Sequence, residues 1–146
     1  MPLPSYAAFD EKDLGAQVLL SQYKLRTSGD AVTVRQDVAR YMKEHGATAL
    51  SVTRFATAVS EIARNAIVHA GGGEFSIYVD PRAKQLTVVC WDKGPGIEDV
   101  ELALTDGYTS GGGLGRGLGG AKRLAKIFEI RTAIGRGTSV LMSVNL

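Results

Sequence analysis

The sequence predicts an α+β protein, an α/β sandwich in which a mixed, mostly antiparallel sheet is covered on one face by helices. Three observations predict it. Segments of helical period fill the first half of the chain, two period-2 segments joined by four residues follow, and a second strand–turn–strand pattern comes after a glycine-dense stretch. The regular alternation of strand and helix that builds a doubly wound sheet is missing. Internal repeats, which would point to a solenoid or propeller, are absent.

Taken in order, residues 1–20 mix Pro, Tyr, Asp, Lys and Leu without a sustained period, and read as an arm of uncertain structure, loose or a short helix. Residues 21–146 read as one domain, since 146 residues can bury one core but not two. Apolar and basic residues alternate over 23–27, a strand, and Ser28-Gly29-Asp30 follows as turn chemistry. Over 33–45 Val34, Val38, Tyr41 and Met42 recur at helical spacing, with Thr33 as N-cap and Gly46 as the stop. A second helix over 51–70 carries Phe55, Val59, Ile62 and Ala66 on one stripe and ends at Gly71-Gly72-Gly73. Period-2 segments at 74–80 and 85–92 place Phe75, Ile77 and Val79 on one face of the first and Leu86, Val88 and Cys90 on one face of the second, joined through Pro81-Arg82-Ala83-Lys84. A short helix over 98–104, a glycine-dense stretch over 107–120, a helix over 119–128 and a strand over 129–133 come next. Gly135-Arg136-Gly137 then turns the chain into a strand over 138–146, with Val140, Met142 and Val144 opposed to Ser139, Leu141 and Ser143.

Composition excludes several functions. The 17 basic and 15 acidic side chains nearly cancel, and no block of like charges occurs, so nucleic acid is not a favoured partner. Lys122, Arg123 and Lys126 fall on a predicted helix as a solvated face, with phosphate attraction the alternative. The single cysteine, Cys90, rules out an internal disulfide and a Cys-rich metal site, which fits a reducing, cytoplasmic setting. Met1-Pro2-Leu3-Pro4 lacks the basic and apolar regions of a leader, and no apolar run is long enough to span a membrane.

Three constellations can carry chemistry. Glu61 and Asn65, four apart on a predicted helix, share one face beside the Phe55/Val59/Ile62/Ala66 stripe. Asn65 offers an oxygen to a hard cation and Glu61 can accept a proton; a solvated Glu/Asn pair is the plainer alternative. Asp92-Lys93-Gly94-Pro95-Gly96 ends a strand on a carboxylate that alternation turns to the core side, where it needs a donor. An adenine amino group suits it, with Gly94 and Gly96 leaving room for a flat base; an Asp-started turn is the alternative. Ser110 to Gly120 holds seven glycines in eleven residues ahead of a helix, where bare backbone N–H groups attract a triphosphate, unless the segment is a flexible loop. Gly115-x-Gly117-x-x-Gly120 matches the dinucleotide fingerprint without the strand before it or the acid after it, and Ala121 stands where a P-loop needs lysine. His45 and His69 have no second ligand at metal spacing and receive no role.

In this order and spacing the three constellations resemble the N, G1 and G2 boxes of the gyrase/Hsp90/histidine-kinase superfamily, and Gly135-Arg136-Gly137-Thr138 resembles its last box. The resemblance covers residues 20–146 and implies a Bergerat-type fold binding ATP with Mg²⁺. Within the superfamily, Ser60-Glu61-Ile62-Ala63-Arg64-Asn65, Asp106-Gly107-Tyr108-Thr109-Ser110 and the compact 113–124 segment look most like RsbT-type switch-protein serine/threonine kinases of bacterial stress signalling. Carried over, Glu61 is the general base, Asn65 the Mg²⁺ ligand, Asp92 the adenine reader, Gly96 part of the base platform and Thr138 a contact at the adenine end. Gly113, Leu114, Gly115, Arg116 and Gly117 surround the phosphates. The position where anti-sigma kinases carry an arginine is Gly113 here, which leaves Arg116 as the candidate cation at the terminal phosphate.

The resemblance further implies a cytoplasmic kinase that phosphorylates a STAS-domain antagonist and then partners a downstream phosphatase, with the PP2C type as the candidate. The alternatives are an anti-sigma factor kinase that binds a sigma factor, and a non-catalytic module that uses nucleotide to hold a partner-binding surface. A detached histidine-kinase catalytic domain is set aside, because His45 stands too close to the first box for a phosphoacceptor hairpin. A gyrase- or Hsp90-like ATPase needs more chain than is present.

Overall fold

The computed structural model describes residues 9, 11–105 and 117–146. Strand β1 (Val18–Leu25) pairs antiparallel with β2 (Gly73–Asp80), and β2 joins β3 (Gln85–Asp92) through the expected four-residue link. Strands β4 (Ile127–Ala133) and β5 (Gly137–Asn145) form a second hairpin, and β5 inserts beside β3, giving the order β1-β2-β3-β5-β4. Every pairing among the described strands is antiparallel, where a mixed sheet was expected, because each neighbouring pair is joined as a hairpin or runs back beside its partner; the α+β sandwich expected from the sequence is the observed class.

Helices α2 (Ser28–Glu44) and α3 (Ala49–Ala70) cover one face, with α5 (Gly117–Leu124) packed against α3. Helix α2 begins well before the expected residue 33. Thr27 and Asp30 form a capping box, with Asp30 Oδ2 accepting the N–H groups of Arg26 at 2.8 Å and Thr27 at 2.9 Å, so Ser28-Gly29-Asp30 is a first helical turn and not a loop. Thr48 caps α3 by accepting the Ser51 N–H at 3.1 Å, and Gly71 ends it in the left-handed region at φ 73°.

The core is where the apolar stripes predict it. Val34, Val38 and Met42 of α2 meet Phe55, Val59, Ile62 and Ala66 of α3 over Phe75, Ile77, Leu86, Val88, Val140 and Met142 of the sheet. Cys90 is buried with them, its thiol donating to the Ile62 carbonyl at 3.7 Å, and burial pushes the thiol pKa up.

The outer face of the sheet is not left bare. Phe9 and Leu14, the latter in the short α1 (Glu11–Leu14), pack on Leu141, Tyr78 and Val89. Arg131 of β4 holds them there: its guanidinium meets the Asp13 carboxylate at 2.7 and 3.1 Å and stacks 4.1 Å over the Phe9 ring. This cover explains why β5 is buried on both faces from Gly137 to Ser143, where alternation alone suggests one buried side. No helix among the described residues is long and apolar enough to cross a membrane.

Candidate functional site

One cleft of about 700 Å³ lies between the C-terminal half of α3, the loop after β3, the short α4 (Val100–Ala103) and the start of α5. Its walls include Asn65, His69, Asp92, Gly96, Gly117 and Thr138. Five residues singled out from sequence, from four separate parts of the chain, therefore converge on one space. A cleft of this size suits a nucleotide-sized ligand, since such sites run from roughly 300 to 1,000 Å³.

Register explains the convergence of the strand residues. Asp92, the last residue of β3, stands opposite Thr138 of β5, and Thr138 stands opposite Thr132 of β4. Asp92 continues the inward-facing row of Leu86, Val88 and Cys90 and is buried. Its Oδ1 accepts the Gly94 N–H at 2.9 Å and the Thr138 N–H at 3.2 Å. The carboxylate thus makes the Asp-started turn and also faces the cleft, so the two readings of this segment are both true. Burial raises the Asp92 pKa above the ordinary aspartate range, while the Gly94 and Thr138 N–H groups and nearby His69 pull it down.

The loop after Asp92 is strapped to the β4–β5 hairpin. The Gly135 N–H donates to the Pro95 carbonyl at 2.8 Å, and the Ile97 N–H donates to Thr132 Oγ1 at 2.9 Å. Gly96 sits at φ 79°, and a Cβ there would collide with the Ala133 carbonyl, so this position needs glycine twice over. Gly94 does not line the cleft; it holds Asp92 through its N–H and lies against Ala70.

Asn65 is half-buried on the α3 wall of the cleft. Glu61, one turn earlier, is buried with 6% of its surface exposed and lies 4.0 Å from Arg64 Nη1; it is not part of the cleft wall. The solvated-pair alternative for these two residues does not hold. His69, given no role from sequence, is exposed and does line the cleft. Its signal was its place four residues after Asn65, on the face that already carried Glu61 and Asn65. Ile97, Glu98, Asp99 and Leu102 complete the far wall, and no spacing rule marks them out. His45 stacks on Tyr41 at the end of α2, away from the cleft. Gly113, Leu114, Gly115 and Arg116 lie outside the described residues, and Gly117 opens α5 at the edge of the cleft.

Whether the residues present suit a magnesium ion follows from donor chemistry. No group of three or more His, Cys, Asp or Glu side chains able to hold a metal occurs among the described residues. Mg²⁺ commonly keeps its waters and takes one or two protein oxygens plus substrate phosphates, so the single carboxamide of Asn65 on the cleft wall fits a nucleotide-borne ion.

Comparison with known proteins agrees with this geometry. Residues 26–144 match the histidine kinase-like ATPase domain. The serine/threonine-protein kinase RsbT of Bacillus subtilis is 38% identical over 119 residues, covering 80% of this chain and 90% of that protein. An anti-sigma F factor of Clostridium acetobutylicum is 31% identical over 114 residues, covering 74% of this chain and 80% of that one. Among solved structures, the crystal structure of the RsbU and RsbW domains of Rv1364c from Mycobacterium tuberculosis superposes with a TM-score of 0.59 at 20% identity, over 87% of this chain and 32% of that one, a likeness of fold. With the fold, the cleft and the sequence in agreement, the chain belongs to the histidine kinase-like ATPase family and, within it, to the branch of RsbT-type serine/threonine-protein kinases.

Proposed function

We propose that the protein transfers the terminal phosphate of Mg²⁺-bound ATP to a serine or threonine of a STAS-domain antagonist in a bacterial partner-switching pathway, and then engages a PP2C-type phosphatase. The observation that carries the nucleotide half is the Asp92–Thr138 pair, whose strand register sets a buried carboxylate and a hydroxyl side by side on the cleft wall. The partner half is supported by the RsbT relative and by the anti-sigma F factor relative.

The chain's own groups divide the work. Asp92 accepts from the adenine amino group, and its second duty, holding the Gly94 and Thr138 N–H groups, keeps the carboxylate from rotating away. Gly96 brings bare backbone against the base. Asn65 supplies a neutral oxygen ligand to Mg²⁺, which when bound offsets phosphate charge. The start of α5, where Gly117 lies at the edge of the cleft, presents backbone N–H groups to the phosphates. Glu61, one turn from Asn65 on the same helix, lies behind the cleft wall, so its role as the base that takes the proton of the attacking hydroxyl requires its carboxylate to turn toward the bound phosphates. Positioning and charge neutralisation of this kind supply most of the catalysis in phosphoryl transfer.

The test is phosphorylation of a STAS-domain partner by labelled ATP, comparing wild type with Glu61→Ala. Undiminished transfer by the variant refutes the base assignment. A wild type that binds ATP and transfers nothing favours the binding-module reading instead. Affinity capture with ATP and with ADP, followed by phosphosite mapping, separates the two kinase types: recovery of a sigma factor reverses the order in which they stand here.

A further inference from the structure

We propose that Thr132 is a positioning residue: it fixes the direction in which the Thr138 hydroxyl points its proton, and so makes the cleft select a 6-amino purine over a 6-oxo purine. The inference rests on the nucleotide reading of the cleft. Its basis is the row Asp92, Thr138, Thr132, which runs across three adjacent strands in register.

A hydroxyl has one proton to give and two lone pairs to receive. Thr132 Oγ1 donates to the Gly137 carbonyl at 2.9 Å, a group that can only accept. It accepts the Ile97 N–H at 2.9 Å, a group that can only donate. Its third contact is Thr138 Oγ1 at 3.0 Å. With the Thr132 proton already committed to Gly137, the proton in this contact comes from Thr138. In this arrangement Thr138 gives its proton to Thr132 and turns lone pairs toward the cleft it lines.

The adjacent Asp92, when ionised, is also an acceptor and nothing else. Two acceptors side by side match the N–H of an exocyclic amino group and oppose the lone pairs of a ring carbonyl. A buried acceptor pair left facing the lone pairs of a carbonyl loses affinity steeply. Removal of the Thr132 hydroxyl frees the Thr138 proton to turn into the cleft, where it can serve a carbonyl. Thr132 touches no ligand in this scheme; it acts through Thr138 and through the Ile97 amide.

ATP and ITP share every phosphate and ribose contact and differ only along the position-6 edge of the purine, where an amino group and a bare N1 become a carbonyl and an N1–H, so their Kd ratio reads which donors and acceptors the cleft presents to that edge. The experiment measures both Kd values by calorimetry for wild type, Thr132→Val and Thr132→Ser, with hydrogen exchange of the Ile97 amide as a second readout. The wild type is expected to prefer ATP by about tenfold or more, since a mispaired buried polar group is penalised on that scale. Thr132→Val is expected to lose the part of that preference that Thr138 supplies, leaving the part due to Asp92, and to lose the protection of Ile97, and Thr132→Ser to restore both. A valine variant that binds ATP with the wild-type ratio, or a serine variant that fails to restore it, overturns the inference. If the valine variant does not fold by circular dichroism, Thr132→Ala takes its place with the same expectations. A wild type that binds neither nucleotide overturns the reading of the cleft and the selectivity together, an outcome distinct from ATP binding that ignores Thr132.

Discussion

Replacing Asp92 by asparagine separates what its carboxylate does for the fold from what it does for the ligand. The Gly94 and Thr138 N–H groups at 2.9 and 3.2 Å both need an acceptor, so the new carboxamide must keep its oxygen on their side. Its NH₂ then stands where the second carboxylate oxygen was, and a donor faces the donor of the adenine amino group. A hydrogen bond to a charged acceptor contributes about 1.5–3 kcal/mol, so ATP affinity is expected to fall about 10- to 150-fold. Stability moves the other way. Burial raises the folded pKa of Asp92, so its contribution to folding is full below the unfolded value near 3.8 and is lost as pH rises through the folded pKa. The variant carries no such penalty, so its melting temperature relative to wild type is expected to rise from acid to neutral pH. Nucleotide titration by calorimetry and thermal unfolding between pH 3 and pH 8 (roughly the range that brackets a raised aspartate) read the two effects. Equal ATP affinity in variant and wild type refutes the contact, and a stability difference that does not grow with pH refutes the burial argument.

Other perturbations follow from the same geometry. Asn65→Ala is expected to abolish the part of ATP affinity that depends on Mg²⁺ while leaving the smaller metal-free affinity in place, which titrations with and without chelator measure. Asp30→Ala removes the acceptor of two N–H groups at the start of α2 and is expected to lower the melting temperature at neutral pH. Those N–H groups hold the Asp30 pKa below 3.8, so its contribution is present above that value and vanishes as pH falls through the folded pKa; variant and wild type should then melt together. Arg131→Ala breaks a paired contact to Asp13 and a stack on Phe9, and a loss of about 1 kcal/mol is expected for such a half-exposed cluster. Hydrogen exchange at residues 11–14 and at Leu141 should quicken together; unchanged exchange at Leu141 refutes its role as a clamp.

Much of this was legible in the sequence because the signals were local. The stripe of α3 and the alternation of β2 and β3 name their own buried faces, and Asp92 inherits its inward direction from Cys90 two residues before it. Where the reading stopped short, a neighbour in space was responsible. The first residues of β1 expose Val18, Leu19 and Leu20 on an edge strand whose register shifts between Leu19 and Ser21, so no clean alternation announces them. Residues 127 and 128 look like a continuing helix, yet Ile127 and Phe128 pair with Ser143 and Met142 of β5 as strand. Leu141 reads as an outward residue until Phe9 and Leu14 are seen to cover it. The cleft follows the same rule: Asn65, Asp92 and Thr138 belong to motifs, whereas Thr132 and Ile97 enter through contacts that span up to 35 residues of chain.

The position of β5 has a consequence for synthesis. It follows β4 in sequence yet lies between β3 and β4 in the sheet, so β4 has no partner and β3 keeps an open inner edge until β5 has been made. A nascent chain released only as far as the β4–β5 turn therefore holds α2, α3 and three paired strands, but it lacks Thr138, and its Thr132 and Gly135 have no paired strand to hold them against the loop after Asp92. The cleft is in this sense completed last: its Thr138 wall comes into being in the same step that closes the sheet.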